Sequence, residues 1–293
     1  MVSPASWPEG PIDREIALLE LWGLTVEVAK HVHTRHGYMA GSDAQRLEDL
    51  NSAIRDPAVR AVITTRGGAG AYRIADGIDT DALRADPKPI VGFSDITHLH
   101  LEWWRRAGVP SIHGCLVGAR AAETARQLLL TTEPLTVTSD PALFGAQLRT
   151  TGSHVAPLRG RLVGGNLSAI AHQVGVALPS LAGGILLIED ERRIGIGRVD
   201  RQLTQLRKSG ALEGLVGLAV GRLSGFEDYE DRGWTILDVL DDHVAALGVP
   251  VLGGLPIGHG GDQCCVPLGA MAELRPASGT LVCASPNTPE SAL

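Results

Sequence analysis

Residues 89–107, PIVGFSDITHLHLEWWRRA, begin as an apolar, β-branched run, turn around Gly92, Ser94 and Asp95, and continue with apolar residues at helical spacing. The pattern predicts a strand over 89–94 and a helix from about 96 to 107. The same alternation recurs on the N-terminal side. REIALLELW (14–22) has helical period, TVEVA (25–29) reads as a short strand, and AQRLEDLNSAIRD (44–56) again as a helix. AVRAVITT (58–65) is a strand ending in RGGAG, followed by a helix across 70–85. MVSPAS (1–6) reads as the tail of a strand, either a short edge strand or one whose beginning is missing.

Toward the C-terminus come GRLVGGNLSAIAHQVG (160–175), the strand GGILLIEDE (183–191) and the helix VDRQLTQLRKSGAL (199–212). They are followed by the strand LVGLAVGRLSG (215–225), the helix WTILDVLDDHVAAL (234–247) and the strand VPVLGGLPIGHGG (249–261) with a glycine-rich exit. Strands that are apolar along their whole length and alternate with helices imply a parallel sheet covered on both faces. Residues 131–160 differ, being rich in Thr, Ser, Pro and Gly with weak period, and read as a crossing between domains. The expected class is α/β, with a parallel-sheet N-terminal domain over 1–135, a linker over 136–159 and an α/β C-terminal domain over 160–293.

Composition excludes several classes of function. With 44% hydrophobic and 20% charged residues the chain can bury a globular core. The net charge of −7, spread along the chain, gives no basic face for nucleic acid. No apolar stretch approaches the roughly 20 residues of a membrane span. The first residues lack the basic start and apolar centre of a secretory signal, so a cytoplasmic location is expected. Four cysteines, two of them adjacent at Cys264 and Cys265, suit neither a disulfide framework nor common zinc-ligand spacing. They read as small buried thiols.

Three polar sites each follow an apolar strand, where ligands collect on such sheets. Ser94 stands at a strand-to-helix junction, a place that can hold a nucleophilic hydroxyl clear of the sheet and leave the next N–H for an oxyanion. Taken alone, the segment reads more readily as a helix cap by Ser94 or Asp95. Glu189 follows four aliphatic residues and suits the orienting of a histidine, with Glu191 as its rival. An acid paired with Arg192, Arg193 or Arg198 is the simpler alternative. His259 lies among glycines, and an imidazole of ordinary pKa near 6.5 suits proton transfer at neutral pH. The turn TRGGAGAYR (65–73) brings Gly67 and Gly68, whose N–H groups suit a substrate oxygen or a phosphate. It matches neither the P-loop nor the dinucleotide glycine pattern.

Together these segments resemble the LD-carboxypeptidase family of serine peptidases, which includes the microcin C immunity peptidases. The resemblance is carried, in family order, by GYMAGSDAQRLEDL (37–50), RGGAGAYR (66–73), VGFSDIT (91–97) and HG (113–114). It continues through GRLVGGNLSAI (160–170), ILLIEDE (185–191), VDRQLTQLRKSG (199–210) and LPIGHGG (255–261). It implies Ser94 as nucleophile on the N-terminal domain, Glu189 and His259 as the rest of a triad on a smaller C-terminal domain, and an oxyanion hole from Asp95 and the Gly67–Gly68 turn. It further implies a homodimer, no metal or cofactor, and hydrolysis of the L–D amide before a terminal D-alanine in a murein tetrapeptide from wall turnover. A small peptide with a free carboxylate needs a partner, for which Arg66 is the candidate.

Ala69 departs from the tyrosine many relatives have in RGGYG, and Cys115 replaces a common proline after HG. The alternative within the family is a microcin-immunity-type peptidase that cleaves an aminoacyl or peptidyl nucleotide amide; the short interval between Ser94 and Glu189 favours the carboxypeptidase. From another class, a non-catalytic α/β protein binding a small ligand fits the glycine turns but gives Ser94, Glu189 and His259 no joint purpose.

Overall fold

The computed structural model describes residues 1–148, 156–192 and 195–288. Part of the expected linker (149–155) and Arg193 lie outside the described residues. Helix α1 (Asp13–Leu21) is followed by α2 (Asp43–Arg55), which opens on a capping box. There the Gln45 N–H donates to Ser42 Oγ at 3.3 Å and the Ser42 N–H to Gln45 Oε1 at 2.9 Å. The chain continues through β1 (Val62–Ile63), α3 (Thr80–Ala85), β2 (Ile90–Gly92), α4 (Thr97–Glu102), β3 (Ser111–His113) and α5 (Ala119–Leu130).

Several elements are shorter than their sequence pattern. Residues 25–29 form no strand. Their pairing partner is Met1, whose carbonyl accepts from the Ala29 N–H at 2.9 Å and whose amino group donates to the Glu27 carbonyl, too little for a ladder. Val2 continues the first sheet by a single parallel bridge to Thr64. The helix expected across 70–85 divides into two one-turn 3₁₀ segments, Ala71–Arg73 and Ala75–Gly77, and α3. Asp79 forces that division by capping α3, its Oδ1 accepting from the Ala82 N–H at 3.0 Å. The helix expected from 96 keeps its helical character but changes pitch, passing from a 3₁₀ turn (Ser94–Ile96) through α4 to a π turn (Trp103–Ala107). The strand expected from 249 to 261 is ordered as a ladder only at its start.

The remaining elements are β4 (Leu135–Thr138), β5 (Leu158–Asn166), α6 (Leu167–His172), β6 (Gly184–Glu191), α7 (Ile196–Lys208) and β7 (Gly217–Ser224). The hairpin β8 (Glu230–Asp231) and β9 (Trp234–Thr235) leads into α8 (Ile236–Leu247), then β10 (Val251–Leu252), β11 (Val266–Leu268), β12 (Met271–Arg275) and β13 (Thr280–Cys283). One sheet has the order β1-β2-β3-β11, parallel except for β11. The other has the order β10-β7-β6-β5-β12-β13-β4, parallel from β10 to β5 and antiparallel beyond. Strand β11 is thus supplied to the first sheet from near the C-terminus.

The alternation along β6 ties the sheets together. Ile185 and Leu187 join a core shared with Val91 and Ile112 of the first sheet, while Leu186 and Ile188 face Val199, Leu203 and Leu206 of α7 and Leu240 of α8. Period-2 geometry therefore sends Glu189, the next residue of the first set, toward the side where β2 ends. In a separate core, shared with Val62, Ile90 and Ile96, Trp103 anchors the segment that follows Ser94. It is fully buried, and its Nε1–H donates to the Lys88 carbonyl at 3.0 Å, just before β2. Trp103→Ala is expected to cost about 3–5 kcal/mol, measured as a lower urea midpoint; an unchanged midpoint would mean this anchor is dispensable.

Candidate active site

Strand β2 ends at Gly92, and Ser94 opens the one-turn helix that follows with φ 62°, one of three non-glycine residues at positive φ among those described. A side chain in this left-handed region costs about 1–2 kcal/mol, and such strain concentrates where a reactive group must be held out from a turn. Glu189 lies at the end of β6, where the pairing with β7 shifts register between Ile188 and Asp190. A bulge there re-aims the carboxyl without breaking the strand. His259 comes from the glycine-rich segment after β10. A β-carbon added at Gly258 would lie 2.3 Å from Glu189 Oε2, so only glycine lets the loop pass this close.

The three side chains meet. Ser94 Oγ is 3.1 Å from His259 Nε2, and His259 Nδ1 is 2.7 Å from Glu189 Oε2. The backbone N–H of His259 donates to the same oxygen at 3.0 Å. Glu189 is fully buried while the His259 side chain is 15% exposed. Burial opposes the charged form of His259, yet the hydrogen bond and charge of Glu189, with the charges of Glu191 and Asp190, raise its pKa above the ordinary value. Glu191, the rival acid, sits on the other flank with Oε2 3.9 Å from Nε2. It is Glu189, not Glu191, that contacts Nδ1.

The Gly67–Gly68 turn packs directly on the serine. A β-carbon at Gly67 would lie 2.8 Å from Ser94 Cβ and 3.2 Å from the Asp95 nitrogen. Ser6 pins this turn by accepting from the Ala69 N–H at 3.1 Å and donating its own N–H to the Gly67 carbonyl at 3.2 Å. Arg46, almost wholly buried, donates to the Gly70 and Pro4 carbonyls. The Asp95 carboxyl faces away from the cleft and accepts from the Ala71 N–H at 2.8 Å. Burial pushes its pKa up to about 6 against the opposing pull of that N–H and of Arg46.

Ser94, His259, Gly67 and Gly68 border a cleft of about 380 Å³. Arg66 lines it and is ion-paired with Glu9 at 2.5 Å. Sequence reasoning did not single out Asn166, Ser168, Gln202 or the cleft-facing role of Arg198. Asp190 organises three of them, accepting from Asn166 Nδ2 at 3.1 Å and from Ser168 Oγ at 2.8 Å, while Gln202 Nε2 donates to Ser168 Oγ at 3.0 Å. The signal available was the GGN at the end of an apolar strand. Among the described residues no group of three or more His, Cys, Asp or Glu is arranged to hold a metal ion, and no helix is long and apolar enough to cross a membrane.

A hydroxyl, an imidazole and a buried carboxylate in series can activate the hydroxyl as a nucleophile. Residues 1–114 match the LD-carboxypeptidase N-terminal domain and residues 159–274 the LD-carboxypeptidase C-terminal domain. The chain is 32% identical to the murein tetrapeptide carboxypeptidase of Pseudomonas aeruginosa, over 94% of this chain and 92% of that protein. The crystal structure of muramoyltetrapeptide carboxypeptidase from Oxalobacter formigenes superposes with a TM-score of 0.82 at 28% identity, covering 97% of this chain and 98% of that one. The microcin C7 self immunity protein MccF in complex with aspartyl sulfamoyl adenosine has a TM-score of 0.81 at 20% identity, covering 97% and 94%, a likeness of fold.

The electrostatics can be checked without any substrate. NMR titration of the His259 ring is expected to give a pKa above about 6.5, and Glu191→Gln, which removes a charge that favours the imidazolium, is expected to lower it. A His259 pKa unmoved by that substitution would contradict the assigned cause.

Proposed function

The chain belongs to the LD-carboxypeptidase family of peptidases, and from that premise we propose that it is a serine carboxypeptidase releasing a terminal D-alanine from murein tetrapeptide, with Ser94, His259 and Glu189 as its triad. The observation that carries this reading is the contact series of 3.1 Å from Ser94 to His259 and 2.7 Å from His259 to Glu189 at the edge of the cleft. The names of the relatives supply the substrate class; the side chains supply the chemistry.

In the proposed reaction His259 Nε2 takes the Ser94 proton as Oγ attacks the amide carbonyl. The N–H groups of Asp95 and the Gly67–Gly68 turn hold the oxyanion, each donor contributing about 3–4 kcal/mol to the barrier reduction. Glu189 keeps the proton of neutral His259 on Nδ1 and stabilises the imidazolium that forms. His259 then protonates the departing amine of D-alanine, which leaves an ester on Ser94. Water, deprotonated by the same imidazole, hydrolyses that ester and restores the serine.

The substrate carboxylate is assigned to Arg66. Its present partner Glu9 is 74% exposed, and an exposed ion pair exchanges at little cost. The proposal also locates the reaction in the cytoplasm, on peptides recovered from wall turnover, with a homodimer as the working assembly. All four cysteines are free, as a reducing compartment favours.

Ser94→Ala is expected to lower D-alanine release from murein tetrapeptide by at least about 10³-fold with an unchanged circular dichroism spectrum and melting midpoint. Wild-type activity in that variant would remove Ser94 as the nucleophile. An aminoacyl sulfamoyl adenylate serves as the second substrate. Cleavage of that compound with no release from the tetrapeptide would favour the immunity-type reaction instead.

A further inference from the structure

His113, the histidine of the HG pair, has no part in the triad, yet it lies beside it. It ends β3, next to β2 in the sheet that carries Ser94, and it is fully buried. Neither ring nitrogen has a hydrogen-bond partner among the described residues. Glu189 Oε1 is likewise buried and without a partner, whereas Oε2 accepts both hydrogen bonds from His259. The two sets of orphans face each other, with His113 Nε2 3.9 Å from Glu189 Oε1. Buried polar groups left unpaired are costly, and two complementary ones this close are seldom coincidental.

We propose that His113 is a positioning residue for Glu189, donating its Nε2–H to Oε1 so that the carboxylate is held from both sides. This rests on the triad reading above. The gap closes to hydrogen-bond length with a shift of about 1 Å.

Chemistry fixes the tautomer. The groups around His113 are Glu189 from β6, His100 from α4 and His259 from its loop, with the ring of Phe93 edge-on at 6.3 Å between centroids. Across the sheet β11 contributes Val266 opposite His113, and the thiol of Cys265 stays protonated because burial raises its pKa. Burial, then His100 and His259, push the His113 pKa well below the ordinary value, so the ring is neutral and carries one N–H. Nδ1 faces the backbone of Gly165, where an added β-carbon would come within 3.1 Å of it. With the proton on Nδ1, the Nε2 lone pair would confront a carboxylate oxygen. With the proton on Nε2, that nitrogen and Oε1 satisfy each other, and Nδ1 is left as an acceptor without a partner among the described residues.

The effect on the reaction has a definite sign. A donor to Oε1 stabilises Glu189 as a lone anion, the state in which His259 is neutral and able to act as base. It matters less once His259 is charged, because the pair is then neutral overall. Removing the donor favours protonation of His259. His113→Phe is therefore expected to move the acid limb of kcat/KM for murein tetrapeptide upward by about one pH unit, and to lower kcat about tenfold with little change in KM. Asp190 and Glu191 also act on His259 but remain in place in this variant. His113→Gln, which keeps an N–H donor, is expected to return the limb toward its wild-type position. An unmoved acid limb in His113→Phe would reduce His113 to a packing residue and overturn the proposal.

A second readout needs neither activity nor a variant of His113. In ¹⁵N-histidine-labelled wild-type protein at neutral pH, the His113 ring is expected to be uncharged with its proton on Nε2, and its Nε2–H signal to shift in Glu189→Gln. A proton on Nδ1, or a signal indifferent to Glu189→Gln, would refute the pairing even if the peptidase activity is as proposed. The expected tautomer in a protein that cleaves no tetrapeptide would instead leave His113 placed and the substrate wrong.

Discussion

A carboxylate with no solvent exposure sets the terms for this molecule. Glu189 is fully buried, and the cost of burying its charge is offset at Oε2, which accepts two hydrogen bonds from one residue, the ring and the backbone of His259. That pairing fixes the loop after β10 against the end of β6 and points the other ring nitrogen at Ser94. Gly258 and Gly221 leave the room for it, since a β-carbon at either would press on Glu189. Removing one member would leave a buried charge or an unfilled acceptor rather than a neutral gap, so loop geometry and site geometry are one problem.

The two sheets serve the same end. Ser94 is held by the first, at a turn whose backbone is forced to positive φ, and Glu189 and His259 belong to segments of the second. The shared core beneath them, with Val91 and Ile112 packing near Ile185 and Leu187, keeps these separately supplied groups within hydrogen-bond range. Thr97 adds a polar tie, its Oγ1 accepting from the Asn166 N–H at 3.0 Å between the Ser94 segment and the end of β5. Strain at the serine is thus offset by packing over a much larger area.

Much of this was legible in the residues. Alternating apolar strands and helices predict the parallel sheets, and each of Ser94, Glu189 and His259 stands where an apolar run stops. Strand parity could not choose between Glu189 and Glu191, because residues two apart share a face; the bulge after Ile188 and the closeness of Gly258 make the choice, and both are tertiary facts. TVEVA has strand composition, but a ladder needs a partner and Met1 offers two bonds. The ion pair of Arg66 with Glu9 spans 57 residues and has no local signature. His113 shows the same limit, since an HG pair says nothing of which carboxylate oxygen lies opposite.

The central claim is that His259 and Glu189 make Ser94 an unusually nucleophilic hydroxyl, and residue-mapped labelling with a fluorophosphonate tests it most directly. The account predicts one adduct per chain, on Ser94, that abolishes hydrolysis and fails to form in His259→Ala. An adduct on any other residue accompanying the loss of activity, or a fully modified Ser94 in a protein that still turns over its substrate, would contradict it.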